Sequence, residues 1–274
     1  MPLGAMAEQA EEPRTLTAHF QDVPVPEYKS RWNACWEEEW TPWDRGGYSP
    51  ALFDLLSEKP ELFSLPSPDV RKSALIPGCG RGHDVLLLSS FGFDAYGMDI
   101  SPRATAEARK HAEEATTQGL YEPRTARRGA TTLLTGDFFK DEALVAAGAP
   151  TKFDLIFDYT FFCALPPSVR PAWARRTADL LAPDGRLVCL EFPSEKDPAE
   201  PGPPWAAPPH AYMAYLSAPG EAVATDERGG VLRGQPGPSR DDGLKRLLHV
   251  KPRRTHDAGA KDGGVQDCIS VWSH

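Results

Sequence analysis

The chain has 274 residues, of which 41% are hydrophobic and 25% charged, and its formal net charge is −9. This length allows one sizeable domain or two small ones, and the apolar content is sufficient for a core. Proteins that bind duplex nucleic acid usually carry the opposite charge or a basic stripe, so we expect no nucleic-acid partner. The short basic clusters Arg124–Arg128 and Lys245–Arg254 are better explained as solvated faces. No apolar run reaches the roughly 18 residues of a membrane span.

The cysteines and the N-terminus indicate the compartment. The five cysteines are scattered without a CxxC spacing, which favours reduced thiols over a disulfide framework or a zinc site. Residues Met1–Glu12 are polar and acidic and lack the apolar region of a secretory signal. We therefore expect a cytoplasmic protein without a metal site. The cysteines are Cys35, Cys79, Cys163, Cys189 and Cys268.

The N-terminal quarter predicts a short helical region in front of the main domain. Residues 1–25 are acidic and then rich in proline, so we expect them to be disordered. A helix over Glu27–Trp40 aligns three tryptophans at i, i+4 and i+8, and a second helix starts with Ser49 as N-cap and Pro50 at its first position. We expect residues 26–70 to form a helical cap. The aligned tryptophans are Trp32, Trp36 and Trp40.

From residue 73 onward, strands and helices alternate. This pattern predicts an α/β fold, with a parallel sheet covered by helices on both faces in one domain over residues 26–274. Ligands of such sheets bind at the carboxyl ends of the strands. We predict strands at Ser73–Ile76, Asp94–Met98, Thr132–Thr135, Phe153–Asp158, Arg186–Phe192 and Cys268–Trp272, and helices at Gly82–Ser90, Ser101–Thr117, Phe138–Ala147, Pro167–Leu181 and Ala211–Leu216.

The pattern weakens toward the C-terminus, where residues 217–264 are rich in glycine, proline and charge. We expect this region to be variable, with a long loop over Ser217–Asp242 and at most one strand near Glu221–Thr225.

A glycine turn follows the first predicted strand. Gly78, Gly80 and Gly82 form a G-x-G-x-G pattern that allows a tight turn and close backbone approach to a ligand. His83 stands where a dinucleotide-binding turn has its third glycine, so the pattern favours S-adenosylmethionine (SAM) over a nicotinamide cofactor. The helix that follows offers free N–H groups to the SAM carboxylate.

Acidic residues end the next two predicted strands. Asp99 can accept both ribose hydroxyls of an adenosine cofactor, although it can equally cap the next helix. Asp137 can accept from the adenine amino group while Phe138 lies against the ring. Alternatively, Asp137 is a helix cap and Phe138 a core residue.

The fourth strand ends in the polar pair Asp158 and Tyr159 within an aromatic segment, as in many small-molecule sites. We predict that both line the methyl-transfer path, whereas Cys163 is better explained as core. Glu191 ends the fifth strand and either contacts a substrate or pairs with an arginine. His210 is a candidate proton acceptor, although a single loop histidine is more often structural.

These segments together resemble the thiopurine methyltransferase superfamily, and most closely its plant-type halide/thiol methyltransferases and their fungal relatives. The resemblance covers roughly residues 31–209. It rests on W-x3-W-x6-W-D from Trp32, L-I-P-G-C-G-R-G-H-D-V at 75–85, G-M-D-I-S at 97–101, F-D-L-I-F-D-Y-T-F-F-C-A at 153–164, R-P-A-W-A at 170–174 and P-G-P-P-W at 201–205.

The resemblance implies a class I SAM methyltransferase fold with a mostly parallel seven-stranded sheet and an N-terminal helical lid over the cofactor. It implies SAM contacts from the lid tryptophans, the glycine turn and the strand ends, and S-adenosylhomocysteine (SAH) as product. A packed tryptophan stripe is the alternative, and it explains Trp40 better than Trp43. The implied SAM contacts are Trp32, Trp36, Trp43, Gly78, Gly80, Asp99, Asp137, Phe138 and Tyr159.

We expect the methyl acceptor to be a soft nucleophile: a thiol, hydrosulfide or halide. A thiol with a pKa of about 8.5 is partly ionised at neutral pH, so a strong general base is unnecessary. The alternatives are an O- or N-methyltransferase of a small secondary metabolite, a NAD(P) dehydrogenase and a non-catalytic SAM-binding protein. We expect a small-molecule acceptor and a monomer or weak homodimer.

Overall fold

The computed structural model describes residues 14–232 and 240–274, and its centre is a seven-stranded sheet. The strands are β1 (Ser73–Pro77), β2 (Asp94–Asp99), β3 (Thr131–Thr135), β4 (Phe153–Tyr159), β5 (Leu181–Glu191), β6 (Lys245–Val250) and β9 (Cys268–Ser273), while β7 (Ala260–Lys261) and β8 (Gly264–Val265) form a separate ladder. The sheet order is β3-β2-β1-β4-β5-β9-β6. Neighbours from β3 to β5 pair in parallel, and β9 is antiparallel to both of its neighbours.

Eight α-helices within the described ranges accompany the sheet. They are α1 (Leu16–Phe20), α2 (Tyr28–Glu37), α3 (Pro50–Glu58), α4 (His83–Ser90), α5 (Pro102–Thr117), α6 (Glu142–Ala146), α7 (Arg170–Leu180) and α8 (Pro209–Ser217). The predicted Ser-Pro starts are confirmed, because Ser49 and Ser101 each accept a hydrogen bond from a backbone N–H in the first turn of their helix. None of these helices is long and apolar enough to span a bilayer.

The sheet separates two hydrophobic layers, as the alternation of strands and helices predicts. Along β1, Leu75 packs on one face while Ala74 and Ile76 pack on the other, because successive side chains of a strand point to opposite faces. The first layer includes Trp173 of α7 and Tyr212 of α8, and the second is covered by α3 and α4. The predicted α/β fold with seven strands is therefore confirmed.

The N-terminal segment is more ordered than its composition predicts. Residues 1–13 lie outside the described residues, but α1 and a 3-10 turn at Val25–Glu27 follow them, so the expectation of disorder through residue 25 is wrong there. Thr15 caps α1 by accepting from a backbone N–H. Phe20 is 2% exposed, and its ring lies 4.5 Å from that of Trp32. Burial of the Phe20 ring stabilises this segment, although its charge and proline content predict disorder.

The final strand is confirmed as β9, but the strand that the sequence allowed near Glu221–Thr225 is wrong. Near Glu221–Thr225 the described residues show only a single bridge, between Thr225 and Val231, and residues 233–239 lie outside the described ranges. The additional strand is instead β6, inside the basic cluster expected to be a solvated face. Because β6 is an edge strand, charged and exposed residues are tolerated on it and mask its strand pattern.

The carboxyl ends of the parallel strands meet at one edge of the sheet, and α2 packs across that edge. The hydroxyl of Ser101, the N-cap residue of α5, donates to the side-chain oxygen of Asn33 in α2 at 2.8 Å. This hydrogen bond joins the N-terminal helical cap to the main domain. Helix α2 ends at Glu37, earlier than predicted, which leaves Trp40 outside the helix. The chain then turns back toward the glycine turn through Trp43.

Candidate functional site

Two adjoining cavities lie between the carboxyl edge of the sheet and the N-terminal cap. The large cavity has a volume of about 500 Å³ and the small cavity about 70 Å³. They share one stretch of wall, so they meet at a common junction. The residues that line both cavities are Trp36, Trp43, Arg45, Gly78 and Thr160.

The glycine turn places backbone without side chains at this junction. Gly78 has a φ of +61°, and a Cβ at this position would lie 2.6 Å from Cδ2 of Phe161. Gly80 has a φ of +50°, and its Cβ would lie 3.4 Å from the Trp36 ring. Gly78 lines both cavities, whereas Gly80 lines only the small one. The positive φ and the close neighbours together explain why glycine is required here.

Asp99 ends β2 and lines the large cavity. One of its carboxylate oxygens accepts from the Gly80 N–H and the other from the Ser101 N–H, each at 3.0 Å. Burial raises the pKa of Asp99, and these N–H donors oppose that effect. Each carboxylate oxygen has a second lone pair, so Asp99 fixes the glycine turn and can still accept from ligand hydroxyls.

Asp137 and Phe138 follow β3 and also line the large cavity. Asp137 accepts from the N–H of Phe139 at 3.0 Å through one oxygen, which is the local turn expected of a cap-like aspartate. Phe138 is 5% exposed and packs edge-to-face on Phe139 and Phe161, with centroids 5.4 and 5.2 Å apart. Asp137 is not the N-cap of a helix, because α6 starts at Glu142 with Asp141 as its N-cap. Phe138 is a core residue, as its alternative predicts, and the contact of this pair with adenine stays a prediction.

The three tryptophans implied by the resemblance meet over the large cavity. The Trp43 ring packs edge-to-face on Trp32 and Trp36, with centroids 5.1 and 5.9 Å apart. All three line the cavity. Trp40 instead packs against Arg14, whose guanidinium lies 3.9 Å from the ring centroid. Trp40, although aligned with Trp32 and Trp36 in the sequence, therefore does not line the large cavity, whereas Trp43 does.

An ionic cluster fastens the segment after α2 to the glycine turn. Arg81 donates to Asp44 at 2.5 Å and to Glu107 of α5 at 3.0 Å. Burial alone would raise the pKa of Asp44, but hydrogen bonds from His83, the Gly46 N–H and Arg81 outweigh it and hold the pKa well below its usual range. This cluster ties Trp43 to the cofactor turn through its neighbour Asp44.

Tyr159 ends β4, and Thr160, which follows it, lies at the junction of the cavities. Tyr159 lines the small cavity, and its buried hydroxyl has no hydrogen-bond partner among the described residues. Burial raises the pKa of Tyr159, while the positive charge of Arg45 lowers it in part. Thr160 has a φ of +62°, a strained conformation for a β-branched residue that lines both cavities.

Asp158 requires a correction, because its side chain lines neither cavity. It is 1% exposed, and its two oxygens accept from the Phe162 N–H at 3.0 Å and from the Trp173 indole at 2.9 Å. Burial raises its pKa to about 6. Asp158 therefore orients the aromatic segment after β4 instead of contacting the methyl-transfer path. The alternation of side chains along a strand sends Asp158 inward while Tyr159 faces the site.

Glu191 and His210 also lie away from the cavities. The fully buried Glu191 accepts from the Ser270 hydroxyl at 2.6 Å and faces His249 at 3.1 Å, so its partner is a histidine and not an arginine. Glu191, His249 and Cys268 offer potential metal-ligand atoms within 4.8 Å of one another. His210 lies in the first turn of α8 and lines neither cavity.

Sequence reasoning missed several residues that line the site. Arg45 lines both cavities, and His256 lines the small cavity from the loop between β6 and β9. Phe161 lines the large cavity, and so does Cys163, which is also buried in the core as expected. The F-D-Y-T-F-F-C-A segment contained the signal for the last two, but no local pattern marked Arg45 or His256.

Residues 28–247 match the family described as Thiopurine S-methyltransferase (TPMT), and this match covers most of the chain. The chain belongs to the thiopurine S-methyltransferase family. Thiocyanate methyltransferase 1 of Brassica oleracea is 36% identical over 207 residues, 75% of this chain and 80% of that relative. Thiocyanate methyltransferase 1 of Arabidopsis thaliana is 39% identical over 163 residues, which are 59% of this chain and 61% of the relative, so this match spans less than two thirds of that protein.

Solved structures show the same fold. The N-methyltransferase NodS from Bradyrhizobium japonicum, in complex with SAH, has a TM-score of 0.52 at 15% identity, covering 88% of this chain and 96% of that chain. At this identity the likeness shows the fold alone. Together with the family match, it confirms the predicted class I fold, the SAM-dependent methyltransferase class and SAM as the cofactor.

Proposed function

We propose that the large cavity binds SAM and that the enzyme transfers the methyl group to a small sulfur nucleophile at the junction of the two cavities. The observation that carries this proposal is the order of groups along the sheet. Asp99 ends β2, while Asp137 and Gly78 follow β3 and β1, and these three strands are adjacent. SAM presents adenine, ribose and its amino-acid end in the same order, so each group meets a chemically suitable partner.

The residues of the large cavity fit this cofactor. Asp137 would accept from the adenine amino group beside Phe138, and Asp99 from the ribose hydroxyls. Trp32, Trp36 and Trp43 present aromatic rings, which attract a sulfonium cation. When bound, SAM supplies an electrophilic methyl group on a positively charged sulfur.

The acceptor class follows from family membership and from the groups at the junction. Two carboxylates line the small cavity: Asp44 is paired with Arg81, and Asp84 accepts from the Ser49 N–H at 2.7 Å through one oxygen while burial raises its pKa to about 6, so neither is a strong base. A thiolate or hydrosulfide needs no such base, because it is already ionised in part at neutral pH. Its sulfur lone pair forms the new S–CH3 bond, the methyl–sulfonium bond breaks, and SAH leaves.

The residues of the site then contribute mainly by aligning the acceptor with the methyl group. Such near-attack geometry lowers the activation free energy by about 7–11 kcal/mol at best. Tyr159 and the strained Thr160 would border the methyl-transfer path. The O- or N-methyltransferase alternative has lost its main argument, since Glu191 lies outside both cavities. An alcohol or ammonium acceptor would also require a base that titrates in the pH–rate profile.

An acceptor panel tests this proposal. Purified enzyme is incubated with SAM and, separately, with hydrosulfide, small alkyl thiols, thiophenols and iodide, and SAH is quantified. We expect SAH to form with at least one sulfur acceptor, at a rate that follows the thiolate fraction. If every acceptor leaves SAH at the level of the enzyme-free control, the proposed function is wrong.

A second experiment tests the ribose contact separately from turnover. SAH and its 2′-deoxyribosyl analogue are titrated by calorimetry into the wild type and into Asp99→Asn. If Asp99 accepts from the ribose, the wild type prefers SAH by roughly ten- to hundredfold, since hydrogen bonds to a charged group contribute roughly 1.5–3 kcal/mol. The variant should lose most of this preference. An undiminished preference would refute the assignment, even if overall affinity falls.

We further propose that the enzyme works in the cytosol, which fits five cysteines that are all free thiols. The monomeric or weakly dimeric state remains a prediction, which light scattering during size-exclusion chromatography would check.

A further inference from the structure

The small cavity contains charges that the proposed cofactor contacts do not use. Its volume of about 70 Å³ exceeds several-fold the roughly 10–15 Å³ that holds one water, so it accommodates a ligand of a few non-hydrogen atoms. We call it the polar pocket. Its wall combines the end of β4 with Arg45 of the cap and His256 of the β6–β9 loop.

Arg45 is the cation of this pocket without an acidic partner. Its Nε is buried without a hydrogen-bond partner, and no carboxylate oxygen of the described residues lies within 4.0 Å of its guanidinium. Its hydrogen bond to the Pro42 carbonyl is long, at 3.5 Å. Arg81, in the same wall, is neutralised by Asp44 and Glu107. A buried, unpaired guanidinium donor is costly unless an anion completes it.

Two further polar groups accompany Arg45. The buried Tyr159 hydroxyl has no hydrogen-bond partner of normal distance and angle, although the Arg45 guanidinium lies close enough to lower its pKa. The Tyr159 ring stacks on His256, with centroids 5.8 Å apart and planes 5° apart. Burial lowers the pKa of His256, and the charge of Arg45 lowers it further, so this imidazole is neutral at physiological pH and has an N–H to donate. The pocket thus combines one cation with two neutral donors.

Two carboxylates line the pocket, and neither forms an ion pair with Arg45. Asp44 is paired with Arg81, whereas Asp84 accepts from the Ser49 N–H and has a pKa that burial raises to about 6. Asp267 lies outside the pocket wall; one of its oxygens accepts from the Thr255 hydroxyl at 2.8 Å, the other is buried without a partner, and burial raises its pKa to about 6. The Arg45 guanidinium therefore keeps its positive charge available to a ligand.

We propose that Arg45, Tyr159 and His256 form the binding site for the anionic acceptor, a small thiolate or hydrosulfide. This inference rests on the proposed function and names the residues that select the acceptor. The Arg45 guanidinium favours the thiolate over the neutral thiol, and the Tyr159 hydroxyl donates to the sulfur. The pocket volume favours hydrosulfide and thiolates of one or two carbons over aromatic thiols.

The test uses thiocyanate as a small anionic sulfur probe of the enzyme–SAH complex. Sodium thiocyanate is titrated by calorimetry at constant ionic strength into the complex of the wild type, Arg45→Leu, Arg45→Lys and Tyr159→Phe. Arg127→Leu is the charge-matched control, because Arg127 is exposed and lines neither cavity. Kinetic constants for hydrosulfide and thiophenol are measured on the same proteins, and circular dichroism checks their folding.

We expect Arg45→Leu to weaken thiocyanate binding by roughly ten- to hundredfold, the equivalent of one hydrogen bond to a charged group, with SAH affinity within twofold of wild type. The thiocyanate affinity of Arg45→Lys should lie between those of the wild type and Arg45→Leu, because lysine keeps the charge but lacks the planar donors. Tyr159→Phe should weaken thiocyanate binding without a loss of stability, since its hydroxyl has no partner to lose. In the kinetics, Arg45→Leu should raise the KM for hydrosulfide.

Other outcomes overturn the inference in distinguishable ways. If Arg45→Leu weakens SAH binding instead, Arg45 holds the cofactor carboxylate and not the acceptor. If thiocyanate does not bind the wild-type complex, or binds all variants equally, the polar pocket is not an anion site. Absence of turnover with every acceptor would reject the proposed function, whereas the thiocyanate titration would still decide the pocket. If Arg45→Leu does not fold, Arg45→Lys and Tyr159→Phe carry the test.

Discussion

Asp99 is the last residue of β2 and Asp158 the last but one of β4, yet their surroundings give the two carboxylates different roles. Asp99 borders the large cavity and retains lone pairs for a ligand, whereas both oxygens of Asp158 accept from donors inside the protein. The residue type and its strand-end position are therefore insufficient to assign a role. The direction of the side chain relative to the sheet decides it.

Substitution of Asp158 tests its structural role. Asp158→Asn retains one acceptor but turns an NH2 group toward the Phe162 N–H or the Trp173 indole, so we expect a loss of roughly 1–3 kcal/mol in the free energy of unfolding near pH 5. The wild-type pKa is raised from 3.8 to about 6, so the stability linked to its protonated form is lost as pH rises through 6. The deficit of the variant should therefore be smaller at pH 7.5 than at pH 5.

Urea unfolding followed by tryptophan fluorescence at both pH values measures this difference. Asp184→Asn is the matched control, since Asp184 is exposed and should show no deficit at either pH. A deficit for Asp158→Asn that grows toward pH 7.5 would contradict the burial-raised pKa. SAH affinity near the wild-type value would support a role away from the cofactor.

The glycine turn between β1 and α4 joins fold and site at the scale of an element. Gly78, Gly80 and Gly82 all have positive φ, and Asp99 holds the turn by accepting from the Gly80 N–H. Phe161 closes on Gly78 from the segment that Asp158 orients. The turn thus depends on residues from β2 and β4 as well as on its own glycines.

A comparison of Gly78→Ala with Gly148→Ala distinguishes the cost of a left-handed backbone from the cost of steric contact with the added Cβ. Both glycines have a φ of +61°, but only at Gly78 does an added Cβ meet another residue, Phe161, whereas nothing lies within 4 Å at Gly148. Each substitution should cost about 1–2 kcal/mol for the left-handed backbone. Gly78→Ala should cost more and also weaken SAH binding, because the Phe161 ring must move within the cavity wall.

Thermal unfolding and SAH calorimetry on the two variants compare these costs. Gly148→Ala should leave SAH affinity unchanged. Equal destabilisation by the two substitutions, with equal SAH affinity, would show that Phe161 yields without cost and that close approach at Gly78 is unimportant.

At the scale of the whole molecule, the N-terminal cap and the sheet edge enclose the site together. Helices α1 and α2 reach the domain through the Trp32–Trp36–Trp43 cluster, the Ser101–Asn33 hydrogen bond and the ionic cluster at Arg81. These contacts lie beside the large cavity. A ligand in that cavity should therefore stabilise the cap more than the remote edge of the sheet.

Hydrogen exchange with and without SAH measures this coupling. We expect backbone amides of α2 to be protected most by SAH, while those of β6, at the sheet edge opposite β3, serve as the internal control. At a free SAH concentration of 100 times Kd, the free energy of unfolding should rise by about 2.7 kcal/mol. Equal protection of α2 and β6 would indicate that the cap does not close on the ligand.

The sequence alone determined the α/β alternation, the glycine turn, the helix caps at Ser49 and Ser101 and the cofactor class. Each of these depends on patterns within a few residues, because strand periodicity, N-capping and positive φ are local properties. The resemblance added Trp43, which no helical stripe selects. The same local patterns failed for α1 and β6, whose order depends on burial of Phe20 and on pairing with β9.

Only the tertiary structure decided which polar residues share a site. Arg45, Tyr159 and His256 are separated by more than ninety residues at each step, yet they line one pocket. The tertiary structure also gives Asp158 and Glu191 partners inside the protein, Trp173 for Asp158 and His249 for Glu191. Whether a polar residue can bind a ligand depends on whether the folded protein already supplies its hydrogen-bond partners. For a buried polar group, this is decided only when distant elements have packed around it.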